Sequence, residues 1–270
     1  MQELVVRAVG GALAALFVAS VAVRLRALSR SGAIAAVTLG TVAAMADPRW
    51  AILLITYFLV TSALSQAGRR AKSARVAAIV SKGGARDARQ VAANGAVFGV
   101  AACGALLMPD APVPWALAAT GALTASASDT WATEIGTWIG GVPRSIRTGR
   151  PVAAGTSGAI TLAGSVGMVA GAAIIASIGV ALVPPEGSAV AVASWLTVSG
   201  VGGAMVDTLV GAFAQSRRWC PTCQAMTEQE VHLCGTRTST AGGAAWIDND
   251  VVNALCTVVG ALIAAAPSVR

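Results

Sequence analysis

Five carboxylates fall inside apolar stretches of this chain: Asp129, Glu134, Asp207, Asp248 and Asp250. An isolated acid at mid-membrane costs about 2.5–3.5 kcal/mol on insertion scales, so each needs a partner or a task. The other seven acids (Glu3, Asp47, Asp87, Asp110, Glu186, Glu228, Glu230) fall at the amino terminus or between apolar runs. Ser126, Asp129, Thr130, Thr133, Glu134 and Thr137 follow one another at helical spacing. At 100° per residue they make one polar stripe about 140° wide, opposite Ala127, Trp131 and Trp138. A second face collects Gly200, Gly203, Asp207, Gly211 and Gln215, where small residues let a backbone or a ligand approach the acid. The third group opens a helix, Trp246-Ile247-Asp248-Asn249-Asp250-Val251-Val252-Asn253. Asp and Asn also serve as helix N-caps, but two acids and two asparagines exceed the need of one cap. Gln90, Asn94 and Gly95 begin another apolar run.

Carboxylates with Asn and Thr oxygens suit a hard cation such as Mg²⁺, which also binds substrate phosphates. Arginines suit those phosphates directly. Together they are the equipment of phosphoryl transfer. The bland alternative is an internal salt-bridge cluster that orients loops. Gly-x-x-x-x-Gly-Lys-Ser/Thr is absent, so no Walker loop is expected. A second constellation, Cys220-Pro221-Thr222-Cys223 with His232-Leu233-Cys234, places four soft ligands within fifteen residues. That spacing fits a structural Zn²⁺ held by Cys220, Cys223, His232 and Cys234, with a redox pair as the weaker alternative. Cys103 and Cys256 lie within apolar runs and read as packing residues.

These groups need rigid elements around them. The chain has 270 residues, 56% hydrophobic and 11% charged, against about 25% charged in soluble domains. We therefore expect an all-α, polytopic membrane helix bundle, a single transmembrane domain over residues 1–270. About eight runs can span, near 3–23, 32–46, 50–66, 90–108, 114–139, 157–183, 189–214 and 246–266. The first is too long for a signal peptide h-region and ends in Arg24, Arg26 and Arg30. The second is short and contains Gly40, so a tilted or re-entrant course is open to it. Every second loop is basic: 24–31, 67–89 (Arg69, Arg70, Lys72, Arg75, Lys82, Arg86, Arg89), 140–155 and 215–245. The positive-inside rule then puts both termini outside and the loop 215–245, with its zinc knuckle, in the cytoplasm. The net charge of +7 is spread over short inter-helix runs without interleaved aromatics, which excludes nucleic acid as the expected partner.

Several stretches resemble the integral-membrane family that contains the plastid phytyl-phosphate kinase of tocopherol synthesis and transmembrane protein 19. They are Arg86-Asp87-Ala88-Arg89-Gln90-Val91-Ala92-Ala93-Asn94-Gly95, Ala127 through Gly136, Gly141 through Thr148, Gly155-Thr156-Ser157-Gly158, Gly203 through Gly211, and Trp246 through Asn253. Thr61-Ser62 stands where a Ser pair is expected, and Ala159 where Gly is expected. The resemblance implies a membrane phosphotransferase that converts a prenyl monophosphate, phytyl- or geranylgeranyl-phosphate-like, to the diphosphate. It implies a nucleoside triphosphate donor, CTP or ATP, and Mg²⁺.

On this reading Asp129, Glu134, Asp207, Asp248 and Asp250 coordinate Mg²⁺–nucleotide. Arg86, Arg89, Arg144 and Arg147 hold phosphates, and Asn94, Asn249, Asn253, Thr130 and Thr133 supply polar contacts. The partners are the lipid bilayer, an isoprenoid phosphate and a nucleotide, with the site on the cytoplasmic face of a plasma or inner membrane. Two rival readings use the same residues: a cytidylyltransferase making a CDP-lipid, and a transporter with intramembrane acids on its ion path.

Overall fold

The computed structural model describes residues 2–77, 79–80 and 84–269. Lys82 lies outside the described residues, as does the side chain of Arg70. The described residues form nine α-helices: α1 (Gln2–Arg24), α2 (Arg30–Ala46), α3 (Pro48–Gln66), α4 (Arg69–Val76), α5 (Ala88–Leu107), α6 (Pro112–Ile139), α7 (Leu162–Leu182), α8 (Ala189–Phe213) and α9 (Asn249–Ala265). Five of them, α1, α3, α5, α7 and α8, are long and apolar enough to cross a membrane. α6 runs for 28 residues but carries two acids, while α2 and α9 have 17 residues each. Seventeen residues rise about 26 Å, slightly less than a typical hydrocarbon core. α2 is a continuous helix through Gly40.

Side-chain caps set most helix starts. Ser29 accepts from Gly32 N to begin α2, and Asp47 with Pro48 begins α3. Asp87 and Gln90 form a reciprocal capping box at α5. Thr161 caps α7, so that helix starts at Leu162, later than the expected 157–183 run. The residues before it, Ala159–Ile160 (β2), pair with Arg144–Ser145 (β1) as a short antiparallel hairpin. Asp248 caps α9 through Val251 N at 3.1 Å, so the last helix begins at Asn249 and not at Trp246. The segment between α8 and α9 holds three short strands, β3 (Arg217–Cys220), β4 (Ala225–Thr227) and β5 (Ser239–Gly242), in antiparallel order β4-β3-β5.

α6 is the hub, packed against α3, α4, α5, α7, α8 and α9. Lipid tails are as apolar as leucine, so van der Waals contact between close backbones has to hold the bundle. Small residues permit that closeness. A Cβ on Gly121 would lie 2.3 Å from Ala264 Cβ and 2.7 Å from Gly260 O, at the α6–α9 crossing. A Cβ on Gly164 would reach Ala132 O at 2.9 Å, and one on Gly167 would reach Trp131 O at 2.7 Å, at the α6–α7 crossing. Phe98, Leu53, Leu123 and Ile175 fill the buried centre.

The four basic loops meet at one end of the bundle. Leu28 bridges to Arg86, Glu228 N donates to Ile79 O, and the Ser157 hydroxyl donates to the Glu228 carboxylate. Gly155 lies against Val76 and Val80.

Candidate active site

Where α6 and α8 approach this end, Asp129 and Asp207 bring their carboxyls close enough to interact directly. Asp207 Oδ2 is buried and has no hydrogen-bond partner. Both acids line a cavity of about 530 Å³. Five of the six stripe residues on α6 face it: Asp129, Thr130, Thr133, Glu134 and Thr137. The sixth, Ser126, is buried one turn deeper, in hydrogen-bond contact with Tyr57 Oη at 2.6 Å and donating to Asn94 Oδ1 at 2.7 Å. Trp131, on the opposite face, packs over Gly171 of α7, as the stripe requires.

Cations from the basic loops complete the polar end. Arg86 reaches Ser62 Oγ at 3.4 Å and Ser65 Oγ at 3.3 Å. Lys72, buried on α4, pairs with Glu134 and donates to the carbonyls of Leu64 and Ser65 at 2.9 and 3.0 Å. Those carbonyls belong to the last turn of α3 and lack a helical partner of their own. Away from this polar end the wall is apolar, with Ala15 and Ala19 of α1, Leu39 and Gly40 of α2, and Leu54 and Phe58 of α3. The cavity therefore joins a greasy slot to a charged chamber.

The structure gathers Asp129, Glu134, Asp207, Arg86, Asn94, Thr130, Thr133, Asn249 and Asn253 around this chamber. It does not bring in the others. Asp248 and Asp250 turn to Arg89, at 2.8 Å and 3.4 Å from its guanidinium nitrogens. For this pair and its arginine, the salt-bridge alternative describes the geometry. Arg144 is exposed and donates to Gly149 O at 3.0 Å within its own hairpin, and Arg147 is exposed beside it.

Four wall residues of weight, Arg69, Lys72, Ser157 and Glu228, were given no site role from sequence, although Ser157 lies in the Gly155–Gly158 stretch that carries the resemblance. Arg69, Lys72, Ser73 and Val76 all line the cavity from one face of α4, but three of the four are polar, so no apolar periodicity marks a helix in a segment expected as a loop. Ser157 and Glu228 meet across 71 positions of sequence, and no periodicity marks them.

Beyond the cavity, Cys220, Cys223, His232 and Cys234 bring one ligand atom each to within 4.8 Å of one another. Hydrogen bonding with Thr236 and then with His232 holds the Cys234 thiol down to about 5. Cys234 and, less strongly, Cys220 beside it push the Cys223 thiol up to about 11.

Comparison with known proteins agrees with this architecture. The chain is 27% identical over 267 residues to Protein PGR of Arabidopsis thaliana, covering 90% of each. It is 29% identical over 220 residues to the uncharacterized membrane protein sll0875 of Synechocystis, covering 79% of this chain and 71% of that one. It is also 29% identical over 170 residues to the uncharacterized membrane protein MJ0933 of Methanocaldococcus jannaschii, covering 63% and 66%. No solved structure matches. Residues 13–261 match the family described as integral membrane protein DUF92. That match takes in every cavity-lining acid and all the long helices in whole or in large part, so the chain belongs to the DUF92 family of integral membrane proteins.

Proposed function

We propose that the chain is a membrane lipid-phosphate kinase. The terminal phosphoryl group of a nucleoside triphosphate passes to a phosphate oxygen of a prenyl monophosphate, and a prenyl diphosphate and a nucleoside diphosphate leave. The observation that carries this reading is a single cavity with an apolar slot at one end and paired carboxylates beside Arg86 at the other. Such a shape suits an amphiphile whose tail is isoprenoid and whose head is a phosphate.

Asp129 and Asp207 fit a Mg²⁺ ion, because two facing carboxyls with an orphaned buried oxygen are the donor set a hard cation satisfies. Bound there, the ion would neutralise nucleotide phosphates. Arg86 holds the acceptor phosphate, its guanidinium aimed by Ser62 and Ser65. Lys72 fixes Glu134 and ties α4 to the end of α3. Asn249, Asn253, Thr130 and Thr133 supply hydrogen bonds around the phosphates. The acceptor oxygen is already anionic, so positioning and charge neutralisation do the work and no strong general base is required. Arg89, Arg144 and Arg147 fall outside the phosphate-holding set, and Asp248 and Asp250 outside the metal set.

The test is incubation of purified protein with phytyl or geranylgeranyl monophosphate, labelled CTP or ATP, and Mg²⁺. Labelled prenyl diphosphate supports the proposal. A CDP-lipid product would replace it with the cytidylyltransferase reading, and ion flux in liposomes without turnover would replace it with transport. Asp129→Asn and Asp207→Asn are each expected to lower turnover by about 10²-fold or more while the protein stays folded. Full activity in both variants would remove these residues from the chemistry.

A further inference from the structure

We infer that Cys220, Cys223, His232 and Cys234 hold one Zn²⁺, and that this ion replaces a hydrophobic core for the β3–β4–β5 ribbon and so fixes Glu228 in the cavity wall. The ribbon lacks apolar filling. Its large apolar side chains, Trp219, Met226, Val231 and Leu233, are all exposed. The residues it buries are Cys220, Thr227, His232 and Thr238, of which two are ligand candidates. Three strands of four, three and four residues cannot hold together on so little burial without a staple.

The ligand geometry is that of a metal site and not of a disulfide. Cys220 Sγ and Cys234 Sγ are 3.6 Å apart, and His232 Nδ1 is 3.4 Å from Cys234 Sγ. A tetrahedral zinc with its usual bond lengths separates two sulfurs by about 3.8 Å and a sulfur from a nitrogen by about 3.5 Å. A disulfide would need about 2.05 Å. Two tight turns present the ligands from opposite sides. The first carries Cys220 and Cys223, with Gln224 at φ 49°, and the second is closed by Gly235 N donating to His232 O. Thr222 and Thr236 meet between the turns at 2.9 Å.

The strand that leaves this cluster ends at the cavity. Glu228 accepts from Ser157 and, at 2.9 Å, from Gln215 Nε2, and all three line the chamber. The neighbouring Gln229 donates to the carbonyls of Ala77 and Val80, at 2.8 and 2.9 Å, just beyond α4. One ion therefore ties together the end of α8, the 155–158 turn and the segment after α4. Its assignment is independent of the kinase reading.

Elemental analysis of full-length protein purified without chelator is expected to give about one zinc per chain. Cys223→Ser should lose it while the helical bundle survives, since Cys223 is exposed and lies outside the helices. His232→Cys should keep it. Cobalt loading should show thiolate charge transfer and tetrahedral ligand-field bands. Hydrogen exchange reads the positioning role. Zinc removal should speed exchange at Glu228 N and at Ile146 N and Ala159 N beside the Ser157 turn. Glu228→Gln should loosen that turn and leave the zinc content unchanged. Wild type free of zinc after reconstitution, equal zinc in Cys223→Ser, or a Cys220–Cys234 disulfide found by mass spectrometry would each overturn the assignment. Unchanged exchange around Ser157 on zinc removal would overturn the positioning role.

Discussion

Lys72 donates to Glu134 and to two carbonyls, so its three ammonium hydrogens are all taken inside the protein. Breaking a buried ion pair from one side leaves a charge without compensation, which costs more than the pair contributes. Lys72→Met is therefore expected to lower stability by about 3 kcal/mol, read as a lower thermal midpoint in detergent. Lys72→Met/Glu134→Gln should recover part of that loss, since no carboxylate is then stranded. Equal midpoints for the single and double variants would show that the pair is not coupled. Asp248 teaches the complementary lesson. Its sequence context suits a metal ligand and a helix cap equally, and in the structure one carboxylate oxygen caps α9 through Val251 N while the other pairs with Arg89.

The helices themselves were legible where a cap residue precedes an apolar run, as with Ser29, Asp47, Asp87 and Ser188. α4 was not, because eight residues with four bases carry no apolar run, and its helix is held by Lys72 and by Arg75 donating to Thr137 O. The ribbon after α8 was legible only as a ligand set. Its strands, of four, three and four residues, are too short for alternation to be read along them. The α6–α9 crossing gives the sharpest test of element packing. Gly121→Val must drive a branched side chain into Ala264 and the Gly260 carbonyl, so a loss of about 2 kcal/mol is expected. Gly10→Ala, where nothing lies within 4 Å of a new Cβ, should cause no loss. Thermal unfolding of the two variants side by side checks both statements.

For the whole molecule, charge alternation along the sequence anticipated the clustering of loops 24–31, 67–89, 140–155 and 215–245 at one end. If the positive-inside rule also sets the side, that end faces the cytoplasm. Ser73→Cys should then resist a membrane-impermeant maleimide in intact cells while Gly187→Cys is labelled, with peptide mass spectrometry locating the adduct. The reverse pattern would invert the orientation. The site was half legible at this scale. Carboxylates within apolar helices announce themselves by their cost, and three of the five line the chamber. The cations that answer them sit where basic residues are expected for orientation alone, so sequence gave Lys72 no mark. One further consequence follows from α1, which walls the apolar slot and packs mainly on α2. Their seam is built of Ala15 against Gly40 and Gly11 against Ala44. Methyl and methylene surfaces hold little more strongly to each other than to acyl chains, so along these contacts the panel resists parting by dispersion, with Arg7 donating to Ala46 O at 3.5 Å near one end. A hydrophobic guest dissolved in the leaflet would meet there a door latched at one end only.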